Sequence, residues 1–198
     1  MNKKEETINT YNQEAGYYAN KFNKLDRTAY VYEVFKLYKT PKPKVLELGC
    51  GNGRDAKVIG KFTNDYLGID LSEEFIKLAR SENPKLKFEL ADMENFVFPE
   101  KIDIVFSFAS FLHIPKESFK QILQKLHKSL NTGGLIKIST KWGEKYEEIE
   151  KTDKYGVRHF YFYCEDDIKE ISTGYKVIKM IKEEVSKNIW LEIILQKE

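Results

Sequence analysis

The chain has 198 residues, 41% of them apolar and 32% charged, enough for one domain with a full core and too few for two ordinary ones. Thirty-three Lys and Arg face 31 Asp and Glu, so no bulk charge calls for nucleic acid or an anionic membrane. Cys50 and Cys164 form neither a metal spacing nor a disulfide framework, and no apolar run nears the roughly 20 residues of a membrane helix, so we expect a cytoplasmic protein with no bound metal and no membrane span. The basic N-terminus lacks the apolar segment of a signal peptide.

Residues 1–39 read as helical. Ile8, Tyr11, Ala15, Tyr18, Phe22 and Leu25 recur every three or four positions and share one face. A second short helix carries Val31, Val34, Phe35 and Tyr38, and Pro41-Lys-Pro43 stops it. From there strands alternate with helices. Strands are expected over residues 44–48, 66–70, 87–91, 102–108 and 135–140, with helices over 54–61, 72–80 and 116–130. Ser72 is a good N-cap with Glu73 and Glu74 in the first turn, and Asn131-Thr-Gly133-Gly134 ends the third helix. Residues 141–163 are charged and then densely aromatic. A helix over 165–171 and two strands, 175–183 and 188–196, close the chain as an antiparallel hairpin. The pattern predicts an α/β fold: a Rossmann-like, seven-stranded, mostly parallel sheet with helices on both faces. Residues 1–40 form an N-terminal helical cap on a domain over 41–198.

The first strand runs into Val45-Leu-Glu47-Leu-Gly49-Cys50-Gly51-Asn52-Gly53. Three glycines where a buried strand turns into a helix permit unusual dihedrals and a close ligand approach; taken alone, they also suit a tight turn with no ligand. Gly68-Ile-Asp70 places a carboxylate at the end of the second strand, where dinucleotide-type folds bind ribose hydroxyls. Ala91-Asp92-Met93 places another at the end of the third. Ligands of open α/β sheets lie beyond these carboxyl ends.

These segments, with Asp103-Ile-Val-Phe-Ser107-Phe108-Ala109-Ser110-Phe111-Leu112-His113, resemble the successive motifs of class I S-adenosylmethionine (SAM)-dependent methyltransferases, of small-molecule type. Tyr11-Asn-Gln-Glu-Ala15-Gly-Tyr-Tyr18 is similar to the helix that precedes such domains. The resemblance implies SAM as cofactor, with S-adenosylhomocysteine (SAH) as product. It sets Glu47, Gly49 and Gly51 against the methionine moiety, with Cys50 and Asn52 in the same loop. Asp70 falls on the ribose, Leu71 beside the adenine, Asp92 on its amino group and Met93 on its ring. Ser107, Phe108 and Ala109 lie beneath the methionine portion. The N-terminal stripe itself must be buried, either as a lid that sets Tyr11 and Tyr18 toward the cofactor or as a static helix on the domain's flank.

An Asn/Asp-Pro-Pro-Tyr/Phe motif of nucleic-acid amino-methyltransferases is missing after the fourth strand, which favours a small-molecule acceptor methylated at O, N or S, with no nucleic-acid partner. The alternatives are a tRNA or protein methyltransferase and a SAM-binding protein without transfer activity. Methyl transfer rests mainly on orientation, and a base is needed only for a protonated acceptor. The catalytic candidates are His113, His159 and Tyr11, with His113 equally suited to fixing the loop before Pro115. His127, beside an apolar stripe, reads as surface. The aromatic run 155–163 is either the wall of a pocket for a flat or cationic acceptor or an oligomer contact. A monomer or homodimer is expected.

Overall fold

The computed structural model describes residues 2–198. The nine strands are β1 (Val45–Leu48), β2 (Tyr66–Asp70), β3 (Lys87–Leu90), β4 (Ile102–Phe108), β5 (Leu130–Lys141), β6 (Glu147–Asp153), β7 (Gly156–Phe162), β8 (Tyr175–Val185) and β9 (Asn188–Lys197). Seven of them form one sheet in the order β3-β2-β1-β4-β5-β9-β8. β1 to β5 run parallel, and β9 and β8 return antiparallel at one edge. Side chains alternate across this sheet and are buried on both sides, as parallel sheets require. Leu46, Leu48, Val105, Ile136 and Ile138 face one core, packed by Phe119, Ile122, Leu123 and Leu126 of α6 (Lys116–Ser129) and by Ile168 and Ile171 of α7 (Glu165–Ile171). Val45, Ile104, Phe106 and Ile194 face the other. That core is covered by α3 (Thr28–Leu37), α4 (Ala56–Ile59) and α5 (Glu73–Glu82). The expected fold class is therefore the observed one.

Several local expectations need correction. The N-terminal stripe is not one helix: α1 (Lys3–Gln13) and α2 (Ala15–Phe22) meet at Glu14, which leaves the helical region at φ −115°. Leu25 falls after α2 and is 42% exposed. Helix α4 is a single turn, because the glycine loop winds on to Asp55. No glycine caps α6. Leu130 is its C-cap in an extended conformation, and β5 starts there, its pairing jumping from Ile102–Leu130 to Ile104–Leu135. Asn131-Thr-Gly133-Gly134 is an irregularity within the strand. Residues 141–163, left without strands by the sequence reading, contain β6 and β7, a separate two-stranded hairpin.

A buried ion pair ties the antiparallel edge to the parallel part. Lys137 on β5 lies 2.6 Å from Glu192 on β9, with side chains 0% and 2% exposed. Ser139, directly opposite Glu192 in the register, donates to its other oxygen at 2.6 Å, and Arg27 approaches to 3.7 Å. Removing one member of a buried pair strands the other, which costs about 3–5 kcal/mol. Glu192→Leu is expected to show a loss of that size in urea denaturation, because it strands two cations. Lys137→Met is expected to cost less, since Glu192 keeps Arg27 and Ser139. Equal losses would show that Arg27 does not share the carboxylate.

Candidate functional site

The carboxyl ends of β1, β2 and β4 meet at the glycine loop. The backbone N–H groups of Gly49 and Cys50 donate to the Ile69 carbonyl at 2.8 and 3.0 Å, so the loop begins by folding back on β2. Asp70 then accepts from Gly51 N at 2.8 Å on one oxygen and from Ser72 N at 2.8 Å on the other. Burial raises its carboxyl above the ordinary range, and the N–H groups of Ser72, Gly51 and Leu71 oppose that rise. The two outer glycines serve packing: a Cβ at Gly49 would stand 2.0 Å from Ser110 Oγ, and one at Gly53 would meet Asn83 and Ala79. Gly51 differs. Its φ is +53°, and a Cβ there would meet nothing within 4 Å. The loop holds open space above Gly51 alone.

Other predicted residues are placed as follows. Glu47 lies under the loop, buried, accepting from the Tyr66 hydroxyl at 2.5 Å; burial, reinforced by nearby Asp55, lifts its carboxyl well above the usual range. Cys50 is buried, and Asn52 donates to Asn23 at 2.9 Å, which binds the loop to the segment after α2. Ser107 donates to the Leu48 carbonyl at 3.1 Å, a link between strands β1 and β4. Phe108 lies 5.1 Å under the Arg27 guanidinium, and Ala109 takes φ +57° where β4 ends. A non-glycine residue in that region stores strain of the kind found at functional sites. Met93 packs against the core. Leu71 and Asp92 line a cleft of ≈ 560 Å³ whose far wall is α1, through Lys4, Glu5 and Ile8.

The roof is built by α1, α2 and the β6–β7 hairpin. Thr10 donates to the Val157 carbonyl at 2.8 Å, and His159 N donates to Thr7 Oγ1 at 3.0 Å. Lys4 reaches across to Asp92 at 2.8 Å and also pairs with Glu94. Asn12 accepts from Ser72 Oγ at 2.7 Å. Beneath this roof Tyr11, Tyr18, Phe22 and Phe75 pack ring against ring, Tyr11 and Tyr18 edge-on at 4.9 Å. The Tyr18 hydroxyl is buried with no hydrogen-bond partner.

Two catalytic candidates are joined directly. His113, in the 3-10 turn after β4, has Nδ1 2.6 Å from the His159 carbonyl and Nε2 2.9 Å from the Tyr11 hydroxyl. A carbonyl only accepts, so Nδ1 carries the proton. Burial, then the fields of Arg158 and Lys141, lower the His113 pKa to about 4 despite the bond to the carbonyl. The ring is neutral near pH 7, its Nε2 accepts, and Tyr11 donates. His159 is turned the other way: its Nε2 lies 2.9 Å from Glu6, and Nδ1 lies 3.4 Å from Glu148 outside hydrogen-bond geometry. His127 pairs with the Gly174 carbonyl at 3.2 Å, on the opposite end of the molecule from the glycine loop.

The sequence reading passed over Arg158, Arg27, Lys141 and Lys4. Arg158 lies within the aromatic run 155–163. Lys4 had no local signal, since its partners are nearly ninety positions away.

Residues 45–134 match the family described as a methyltransferase domain. That segment, which carries the glycine loop and the ends of β2, β3 and β4, is thus similar to SAM-dependent methyltransferases. The chain is 29% identical over 154 residues to a malonyl-[acyl-carrier protein] O-methyltransferase of Ilyobacter polytropus, covering 73% of this chain and 59% of that protein. The chain spans about half the length of the curated relatives it matches. Among solved structures, a DhpI–SAH complex superposes with TM-score 0.76 at 19% identity, covering 98% of this chain and 97% of the other. The 1,6-didemethyltoxoflavin-N1-methyltransferase of Burkholderia thailandensis gives 0.75 at 14% identity, over 96% and 86%. The methyltransferase fold thus extends well past residue 134.

Gly51 and Gly133 give a matched test of the open space. Both have positive φ, and neither would clash on gaining a Cβ. Valine at either position carries a similar backbone strain of about 1–2 kcal/mol, but only Gly51 belongs to the loop. Gly51→Val is expected to lower SAH affinity more than tenfold in calorimetric titration, and Gly133→Val to leave it unchanged. Equal affinities in the two variants would make the loop a purely structural turn.

Proposed function

We propose that the protein binds SAM and transfers its methyl group to an O, N or S atom of a small-molecule acceptor. The observation that carries this is the open space over Gly51, beside Asp70, whose chain neighbour Leu71 lines the cleft together with Asp92. Asp70 accepts from the Gly51 and Ser72 N–H groups, with the Leu71 N–H also directed at it. A carboxylate offers about four lone-pair positions, which leaves capacity for a ribose hydroxyl. Asp92 can exchange its bond with Lys4 for one with an exocyclic amine. The unpartnered Tyr18 hydroxyl fits the same buried, partly polar ligand.

The cofactor supplies a methyl group already activated on a sulfonium. The chain's own task is to hold, orient and exclude water. In this reading Asp70 and the Gly51 backbone fix the nucleoside end, and α1 with α2 closes over it. Where the acceptor carries a proton, the Tyr11–His113 pair receives it: His113 Nε2 already accepts from Tyr11, and its Nδ1 bond to the His159 carbonyl holds the ring in place. By its name, the relative from Ilyobacter methylates an oxygen of a malonyl group on a carrier protein, which favours oxygen here. A net charge of +2 supports an acceptor other than nucleic acid. We read the protein as cytoplasmic, and as a monomer or homodimer.

Asp70→Ala is expected to weaken SAH binding about tenfold or more, the equivalent of one hydrogen bond to a charged group. Release of SAH from SAM with a metabolite panel tests turnover. Binding without turnover on any acceptor would make the protein a SAM-binding module instead.

The roof is read as a lid that closes on the cofactor. Hydrogen exchange of residues 5–25 is expected to slow when SAH is added, with no change in the strands of the sheet. Identical protection in both states would make α1 and α2 a fixed wall.

A further inference from the structure

The acceptor side of the sheet is lined with cations that the fold itself does not neutralise. Three of them stand in a row, linked by shared aromatic rings. Arg158 on β7 is 6% exposed, with its guanidinium 5.0 Å from the Tyr18 ring centroid and 5.6 Å from Phe160. Lys141, at the end of β5, stands 5.6 Å from the same Phe160 ring and 5.7 Å from Trp190. Arg27, just before α3, lies 5.6 Å from that Trp190 ring and 5.1 Å from Phe108, the last residue of β4.

Their partners do not balance them. Arg158 pairs with Asp153 at 2.5 Å, yet its Nε is buried with no partner. Arg27 shares Glu192 with Lys137, and its Nε is likewise buried and unpartnered. Lys141 has no carboxylate within ion-pair distance among the described residues. It donates to the Asn188 side-chain oxygen at 2.8 Å. Burial lowers its pKa, and Lys151 and Lys21 lower it further. Arg27, Lys137, Lys141 and Arg158 therefore face Asp153 and Glu192 alone at ion-pair range, four cations against two carboxylates.

A charged side chain is buried only where something compensates it. The aromatic rings offer part of that compensation through their faces, and the two buried guanidinium Nε donors without a partner suit an anionic group. A cationic acceptor, one of the expectations from the aromatic run, would meet rings already occupied by the protein's own cations. The reading of this face also depends on the cofactor. A sulfonium carries a further positive charge, so an acceptor that reaches it past these side chains gains by being negative. We propose that the methyl acceptor is an anion, a small molecule bearing a carboxylate or phosphate group, and that Arg158, Lys141 and Arg27 hold that group. This rests on the methyltransferase reading above and narrows its substrate class.

The experiment is calorimetric titration of the full chain with three probes of one shape: phenylacetate, phenylacetamide and phenethylamine. Inorganic phosphate is a fourth. Each is added to protein with and without saturating SAH. Phenylacetate or phosphate is expected to bind the SAH-loaded protein at least about tenfold more tightly than the neutral and cationic probes. Lys141→Gln and Arg158→Gln are each expected to weaken that binding about tenfold, with Arg158→Lys recovering part of it. SAH affinity in these variants is expected to stay within about threefold of the parent. Lys141 is only half buried, so its variant keeps the test open where Arg158→Gln fails to fold; thermal melting identifies that case. Equal binding of the three shapes, or no heat from either anion, would overturn the proposal. So would a loss of SAH affinity in the variants, which would assign the cations to the cofactor's own carboxylate. A parent protein that binds the anions but no SAH would keep the cationic site and remove the methyltransferase reading instead.

Discussion

Asp70 is the residue on which the rest of the site depends. Its two oxygens take N–H groups from opposite directions, Gly51 in the loop after β1 and Ser72 at the start of α5. The loop, the end of β2 and the N-terminus of α5 are thereby held at one point. Ser72 continues the chain of contacts, because its hydroxyl caps Phe75 N and donates to Asn12 in α1. The end of β4 closes the same corner from the other side. Ser110 fills the space that a Cβ on Gly49 would need, and Ala109 adopts its left-handed conformation to bring Ser110 there. The corner is thus built by backbone geometry, with side chains used as fasteners. That arrangement suits a ligand read largely by backbone atoms and one carboxylate.

The sheet and its helices were legible because each element carries its own period. The run Ile102–Phe108 is apolar but for Asp103 and Ser107 and is buried on both faces; the stripe of α6 lies on one face and fills one core. The errors have equally specific causes. At Leu130 the glycines downstream suggested a helix cap, yet the strand begins before them, since pairing with Ile102 wins over turn chemistry. Strand β6 was invisible because Ile149 is the one apolar residue in Glu147–Asp153. It is held by its ladder with β7 rather than by burial. Within the site, the sequence marked the glycine loop but did not separate Gly51 from Gly49 and Gly53. That distinction lies in what occupies the space above each residue, and those atoms come from Ser110, Asn83 and Ala79.

The electrostatics of the acceptor side follow from the same packing. His113 is a weak base here because it is buried next to cations, and its neutral form is fixed in one tautomer by the His159 carbonyl. A group so placed resists gaining a proton, so in the proposed reaction it would pass one only briefly, through Tyr11, instead of storing charge. An acceptor that is already an anion makes little demand on it. The neutral histidine and the unbalanced cations are therefore compatible parts of one environment, each favouring negative charge on the incoming molecule.

The roof differs from the sheet in what holds it. The seven-stranded sheet is joined by backbone ladders and two apolar cores. The outer part of the roof is joined by polar contacts: Thr10 to Val157, Thr7 to His159, Lys4 to Asp92 and Glu94, Lys3 to Glu148. Exposed ion pairs contribute little to stability because water replaces them at small cost. The apolar share of α1 and α2 is one small cluster, Ala15, Tyr18 and Phe75 with Tyr11, Phe22 and Leu78 around them, whereas β7 sends Tyr161 into a main core. Lifting α1 and α2 breaks those contacts and removes no residue from either main core, so its free energy lies below that of global unfolding. A ligand that takes the Asp92 carboxylate from Lys4 removes one latch while adding contacts to α1 from below. In the proposed reading closure is governed by what lies in the cleft, and the segment most easily moved is the one that would cover the nucleoside.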